Sequence, residues 1–148
     1  MIGASAPSAA VETLDGRRVD LAAYFTGKPV VLEFWATWCP LCRALEPSFQ
    51  AAREKYAGKV TFVSVGVSAN QTPERQKAYA ESRGLSGEFV FDRDDKAVAA
   101  YKSPHTSFVV VIDAQKKVVY TGVGDKQDIE AALAKAFPMR DGMRRGGN

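Results

Sequence analysis

Two cysteines and one histidine are all that this 148-residue chain has of the residues that commonly hold metals or build covalent frameworks. A structural zinc site normally takes four Cys or His ligands, so that reading runs out of donors. Two cysteines make at most one bridge, and a chain of this length with 46% hydrophobic residues can bury a core without one. Also absent is any apolar run of about 18 residues, which removes a membrane-spanning helix. The first residues, Met1-Ile2-Gly3-Ala4-Ser5-Ala6-Pro7, lack the charged start and apolar core of a signal peptide. That leaves a cytoplasmic protein or one whose export segment has been removed. Neither sign of charge dominates: 20 Lys and Arg against 17 Asp and Glu give a net charge of +3, spread along the chain. No basic stripe marks a nucleic-acid partner, and nothing requires more than a monomer.

What the chain does have is Trp38-Cys39-Pro40-Leu41-Cys42, a C-x-x-C placed directly after the apolar run Val30-Val31-Leu32-Glu33-Phe34-Trp35. Such a run predicts a strand buried on both faces of a sheet. Arg43 to Tyr56 reads as a helix, with Leu45, Phe49, Ala52 and Tyr56 at helical spacing. The dithiol therefore sits at a strand-to-helix junction. Cys39 falls at the helix N-terminus, where unpaired N–H groups and the helix dipole favour a thiolate, which makes it the attacking sulfur. Pro40 suits the first helical turn, and Cys42, one turn later, can displace a mixed disulfide from Cys39. This is the chemistry of a thiol-disulfide oxidoreductase.

The remaining elements alternate as in an α/β protein. Val11–Leu14 and Arg18–Leu21 flank the turn signal Asp15-Gly16 and predict a hairpin. Strands are expected over 60–67, 88–91, 108–112 and 117–122, and helices over 72–83, 94–101 and 126–137. The expected organisation is a single domain over residues 1–138. Residues 139–148, rich in Gly and Arg, are expected to form a disordered basic tail, and an anionic-surface contact through Arg140, Arg144 and Arg145 is the alternative.

The segment from Phe34 to Cys42 resembles the active-site segment of the thioredoxin superfamily, in its TlpA/ResA-like branch. The likeness continues through Leu14-Asp15-Gly16, Gly27-Lys28-Pro29, Pro47, Phe91-Asp92 and Val111-Ile112-Asp113. The resemblance implies a thioredoxin-like fold: a central mixed β-sheet with helices on both faces, an N-terminal β-hairpin extension, and Cys39 exposed at one end. It implies an exported, often membrane-tethered protein, placing this one in the periplasm or another extracytoplasmic space. It further implies a reductant of protein disulfides in cytochrome or copper-site maturation, fed by an upstream membrane thiol donor. Pro47 is similar in position to the proline that kinks the family's active-site helix. Glu33, six residues before Cys39, matches the buried acid that takes the proton of the resolving cysteine. Its alternative is an edge-strand acid that reaches solvent or pairs with a lysine. Trp35 reads as core, and Trp38 with Pro40 as an apolar rim for a partner protein.

The loop Tyr101-Lys102-Ser103-Pro104-His105-Thr106-Ser107 departs from the pattern. The family places a cis-proline facing the dithiol, and counting back from Asp113 without a gap puts Ser107 in that slot. Pro104 fills it if the loop is about three residues longer, and either residue is then a substrate-binding candidate. His105-Thr106-Ser107 resembles the His-containing loop of Sco-type copper assembly proteins, which share this fold. Cys39, Cys42 and His105 would together suit Cu(I), although Sco proteins have three residues between their cysteines and this chain has two. His105 could also tune the thiolate, or be a surface residue. The exchange reading needs no cofactor, and the copper-chaperone reading is its alternative. A peroxide-reducing relative is a second alternative, suggested by Phe89-Val90-Phe91-Asp92.

Overall fold

A computed structural model describes residues 1–137 of the protein; the expected tail, with the domain boundary at 138, lies outside the described residues. The long apolar run forms β3 (Val30–Trp35), buried at every position. It has a strand on each side: β4 (Thr61–Val67) in parallel and β6 (Phe108–Ile112) antiparallel. A central strand has no solvent-facing side, which is why its sequence shows no alternation. The chain begins with β1 (Ala10–Thr13) and β2 (Arg18–Asp20), paired antiparallel about Asp15-Gly16. Gly16 takes φ 93°, the left-handed turn conformation that glycine adopts without strain. β1 then pairs with β5 (Glu88–Asp92), so the hairpin extends the main sheet. β7 (Val118–Val123) closes the far edge, and the strand order is β2-β1-β5-β4-β3-β6-β7.

The parallel pairs β3–β4 and β4–β5 require crossovers, supplied by helices α1 (Pro40–Lys55) and α2 (Pro73–Ser82). Two shorter helices follow, α3 (Lys96–Tyr101) and α4 (Ile129–Ala134). Alternation along β3 divides the core. Val30, Leu32 and Phe34 meet Ala97 and Tyr101 of α3 on one face. On the other, Val31 meets Leu45, Phe49 and Ala52 of α1 with Ile129 and Leu133 of α4. Each Leu or Phe buried in this way stabilises the fold by about 1.5–3 kcal/mol. The expected mixed sheet with helices on both faces is what forms.

Two helices start later than their periodicity suggests. The Asp92 carboxylate accepts from Ala97 N and Val98 N, both at 2.9 Å, so the last residue of β5 caps α3 and the turn at Asp94-Asp95 stays outside. Asp128 accepts from Ala131 N at 3.0 Å and caps α4, leaving Lys126 and Gln127 in the preceding loop. Helix α1 runs unbroken through Pro47. The missing proline N–H leaves the Arg43 carbonyl without its usual helical donor.

Candidate active site

The dithiol is part of the helix cap. Cys39, at φ −86° and ψ 110°, is the N-cap of α1, and its sulfur accepts a hydrogen bond from Cys42 N at 3.1 Å. Pro40 occupies the first turn, where its missing N–H costs nothing. The two cysteines are joined by a disulfide with their Cα atoms 5.3 Å apart. When that bond is reduced, the same amide and the positive end of the helix aim at the Cys39 sulfur and stabilise its thiolate.

The residues leading into the helix are tied to the β4–α2 loop. Gln71 accepts from Thr37 N at 2.9 Å through its side-chain oxygen, and its amide nitrogen donates to Trp35 O at 3.3 Å and to Val67 O. Trp38 Nε1 donates to Ala69 O at 2.7 Å. These bonds hold one edge of the Trp38 indole, and the side chain is still 43% exposed beside Leu41, also 43%. An apolar rim therefore borders the disulfide on both sides of Pro40. Cys39 itself is not exposed as the resemblance implied: in the disulfide form it is 2% accessible. A third element reaches its sulfur, for Thr106 Oγ1 lies 3.0 Å from Cys39 Sγ.

Thr106 belongs to the loop where sequence left two candidates, and the structure separates them. Ser107 is fully buried at the mouth of β6, and its N–H donates to Phe34 O at 2.7 Å. Its Oγ accepts from Gly124 N at 3.0 Å, and its carbonyl accepts from Gln127 Nε2 at 3.0 Å. Ser107 directly follows the residue whose hydroxyl meets Cys39 Sγ, and β6 begins with the residue after it. Pro104 is exposed, and no peptide bond among the described residues is cis, so Pro104 does not adopt the cis form in this structure. The reason is length: β6 starts at Phe108 with no extra residues between the loop and the strand. His105 is exposed on the same loop. Among the described residues no group of three His, Cys, Asp or Glu side chains is placed to hold a metal, and the arrangement gives the copper-chaperone reading no support. The segment Phe89–Asp92 contributes β5 and the α3 cap, with no cysteine pocket of its own.

Glu33 is on the face of β3 that α1 covers, at 6% accessibility, so the edge-strand reading does not hold. Its partner is an arginine: Arg53 Nη2 lies 3.6 Å from Glu33 Oε1, with both side chains buried. Arg53 also donates to Ser64 Oγ and to Gln50 Oε1, each at 3.2 Å, and rests over the Phe49 ring. Burial pushes the Glu33 carboxyl up to about 7; Arg53 opposes that shift and the Glu46 carboxylate adds to it. Burial also lowers the Arg53 guanidinium from its ordinary value. Glu33 and Cys42 line one small cavity of about 20 Å³. A carboxyl that burial raises toward neutrality thus shares a cavity with the inner cysteine. A far larger cleft, about 410 Å³, opens between the β1–β2 hairpin and α2, and neither cysteine borders it.

The sequence reading missed Arg53, Gln71, Thr106 and Leu41. A signal for Arg53 existed: Cys42, Glu46, Phe49 and Arg53 recur at helical spacing and so share one face of α1 with the dithiol. Gln71 and Thr106 had none, since single polar residues in loops carry no periodicity.

Comparison with known proteins agrees with this geometry. The thiol-disulfide oxidoreductase ResA of Bacillus thuringiensis (strain Al Hakam) is 30% identical over 139 residues, covering 93% of this chain and 79% of that protein. The thioredoxin-like protein YneN of Bacillus subtilis (strain 168) is 29% identical over 136 residues, covering 88% of this chain and 78% of that protein. A thioredoxin-family thiol:disulfide interchange protein of Chlorobium tepidum TLS has a solved structure with TM-score 0.76 at 25% identity, covering 92% of this chain and 97% of that one. The Redoxin family model matches residues 1–136, which take in both cysteines and all the strands and helices named above, and the chain accordingly belongs to the Redoxin family.

Proposed function

We propose that this protein exchanges its Cys39–Cys42 dithiol with disulfides of protein substrates. The Cys39 thiolate attacks one sulfur of the substrate disulfide, forming a mixed disulfide and releasing the other sulfur as a thiolate. Cys42 gives its proton to Glu33, and the resulting thiolate attacks Cys39 Sγ, closing the intramolecular disulfide and releasing the second substrate thiolate. Atoms and charge balance without a metal or an organic cofactor. The observation that carries this reading is the capping geometry, in which Cys39 Sγ receives the Cys42 amide while Cys42 borders the cavity of a buried acid. Trp38, Pro40 and Leu41 supply apolar contact for the substrate, with Thr106 at the Cys39 sulfur. Family resemblance supports the reducing direction and a membrane thiol donor upstream. Work on substrate disulfides supports an extracytoplasmic setting, where such bonds persist. A monomer suffices for every step.

Trapping distinguishes the two sulfurs. Cys42→Ser should accumulate a mixed disulfide with a disulfide-bonded substrate on a non-reducing gel, and Cys39→Ser should accumulate none. Equal trapping by both variants, or by neither, would overturn the assignment.

A further inference from the structure

The small cavity beside Cys42 is lined by more polar side chains than the exchange reaction uses. Trp35 Nε1, Arg53 Nε and Glu46 Oε2 are buried, and none has a hydrogen-bond partner among the protein's own groups. All three residues line the cavity with Glu33 and Cys42. Trp35 and Arg53 are each 5% accessible, so their N–H groups cannot turn to solvent. The cavity volume of about 20 Å³ exceeds the ~10–15 Å³ that one water requires, and a buried water needs two to four polar partners. Two donors, Trp35 Nε1–H and Arg53 Nε–H, stand beside two carboxylate acceptors.

Glu46 differs from Glu33 in reaching outward. Its side chain is 21% exposed, and Oε1 lies 3.9 Å from Arg83 Nε at the surface while Oε2 is buried at the cavity. It is four residues beyond Cys42 on α1, on the same helix face. The charged and titratable groups around it are Glu33 on β3, Cys42 and Arg53 on α1, Tyr79 on α2 and Arg83 at its C-terminal cap, with Ser64 of β4 bonded to Arg53. Two carboxylates thus share one buried guanidinium. The Glu46 carboxylate adds to the upward push that burial gives the Glu33 carboxyl.

We infer that the cavity binds one water that bridges Glu33 and Glu46, which makes Glu46 the positioning residue that sets the pH at which Glu33 accepts the Cys42 proton. The inference rests on Glu33 being that acceptor. When Glu33 is protonated, its O–H donates to the water and the water donates to Glu46 Oε2. The negative charge of Glu46 then favours the protonated form of Glu33. Removing that charge weakens both effects in the same direction, so Glu33 becomes available as a base at lower pH.

The test follows the reduced full-length protein after mixing with Ellman's reagent across a pH series. The first thionitrobenzoate released reports attack by Cys39, and the second reports resolution by Cys42. Glu46→Gln should move the midpoint of the second phase to lower pH by about one unit, at the low end of what a nearby charge does to a carboxyl. Glu46→Asp keeps the charge but withdraws it by one methylene, and should move the midpoint the same way by less. It also replaces Glu46→Gln as the readout should the glutamine variant not fold, an unmoved midpoint again counting against the pair. A purely structural role for Glu46 would alter melting without moving the midpoint, and that result overturns the inference. Glu33→Gln is run in parallel. Loss of the pH-dependent limb there with no shift in Glu46→Gln overturns the pairing alone, whereas a limb unchanged in Glu33→Gln overturns the acceptor reading with it.

Discussion

Replacing Glu33 by Gln in the oxidised protein should change how stability depends on pH, by an amount the structure sets. In the folded state burial raises this carboxyl from 4.5 to about 7, against the opposing pull of Arg53. At ~1.36 kcal/mol per pH unit, that difference is worth about 3 kcal/mol. The folded state holds the proton more tightly than the unfolded chain does, so the cost of ionising Glu33 is absent below about pH 4.5 and complete above about pH 7. Stability of the wild type relative to the variant should therefore fall by about 3 kcal/mol as pH rises through that window, and stay level above it. Keeping the Cys39–Cys42 disulfide intact removes both thiols from the titration. Asp92, also raised by burial, titrates in both proteins and cancels in the difference. Loss of the carboxylate leaves Arg53 bonded to Ser64 and Gln50, an offset that is constant with pH because a guanidinium stays charged. Denaturant unfolding of the two oxidised proteins at several pH values measures the effect, each pair compared at the same pH. Parallel curves would refute the reasoning: Glu33 would then not titrate near neutrality in the fold, and its place as acceptor of the Cys42 proton would lose its physical basis.

Thr106→Val removes the hydroxyl from beside Cys39 Sγ. A hydrogen bond to a charged group is worth about 1.5–3 kcal/mol, so the Cys39 thiol pKa should rise by about one unit or more and attack at neutral pH should slow accordingly. Thiolate absorbance of the reduced protein against pH reads this, and an unmoved titration would show that the hydroxyl does not serve the thiolate. Gln71→Ala takes the acceptor from Thr37 N and the donor from two carbonyls beneath the active-site turn. Orphaning buried backbone groups should cost about 2–3 kcal/mol in denaturant unfolding and slow the first phase with Ellman's reagent, because the turn carrying Trp38 and Cys39 loses its anchor to β4. Wild-type stability together with an unchanged first phase would show that the turn is held by other means.

The fold was legible because its strongest signals are local. An uninterrupted apolar run means a strand with neighbours on both sides, and β3 has β4 and β6. Asp15-Gly16 means a tight turn, and Gly16 takes the left-handed conformation there. The dithiol was legible for the same reason, since two cysteines one helical turn apart after a strand specify both the cap and its chemistry. Helix starts were less so: Asp92 caps α3 from within the preceding strand, an arrangement that periodicity in the helix itself does not announce.

The site is harder to read because its parts come together from distant points of the chain. Thr37 and Gln71 are 34 residues apart, and Cys39 and Thr106 are 67 apart. Neither contact leaves a spacing signal. Glu33 marks the boundary between the two cases. Its position beneath a helix follows from alternation along β3, which places it on the face of Val31, but whether it is a base at neutral pH does not. That depends on how fully α1 covers it and on where two further charges of that helix, Arg53 and Glu46, come to lie. The stripe Cys42, Glu46, Phe49, Arg53 was present in the sequence all along. Read as a helix surface it looks half polar and therefore solvated; only the register of α1 on β3 turns the same residues inward. The ionisation of Glu33 is thus a property of the α1–β3 packing, and a substitution that shifts α1 along the sheet should change the pH dependence of exchange without touching either cysteine.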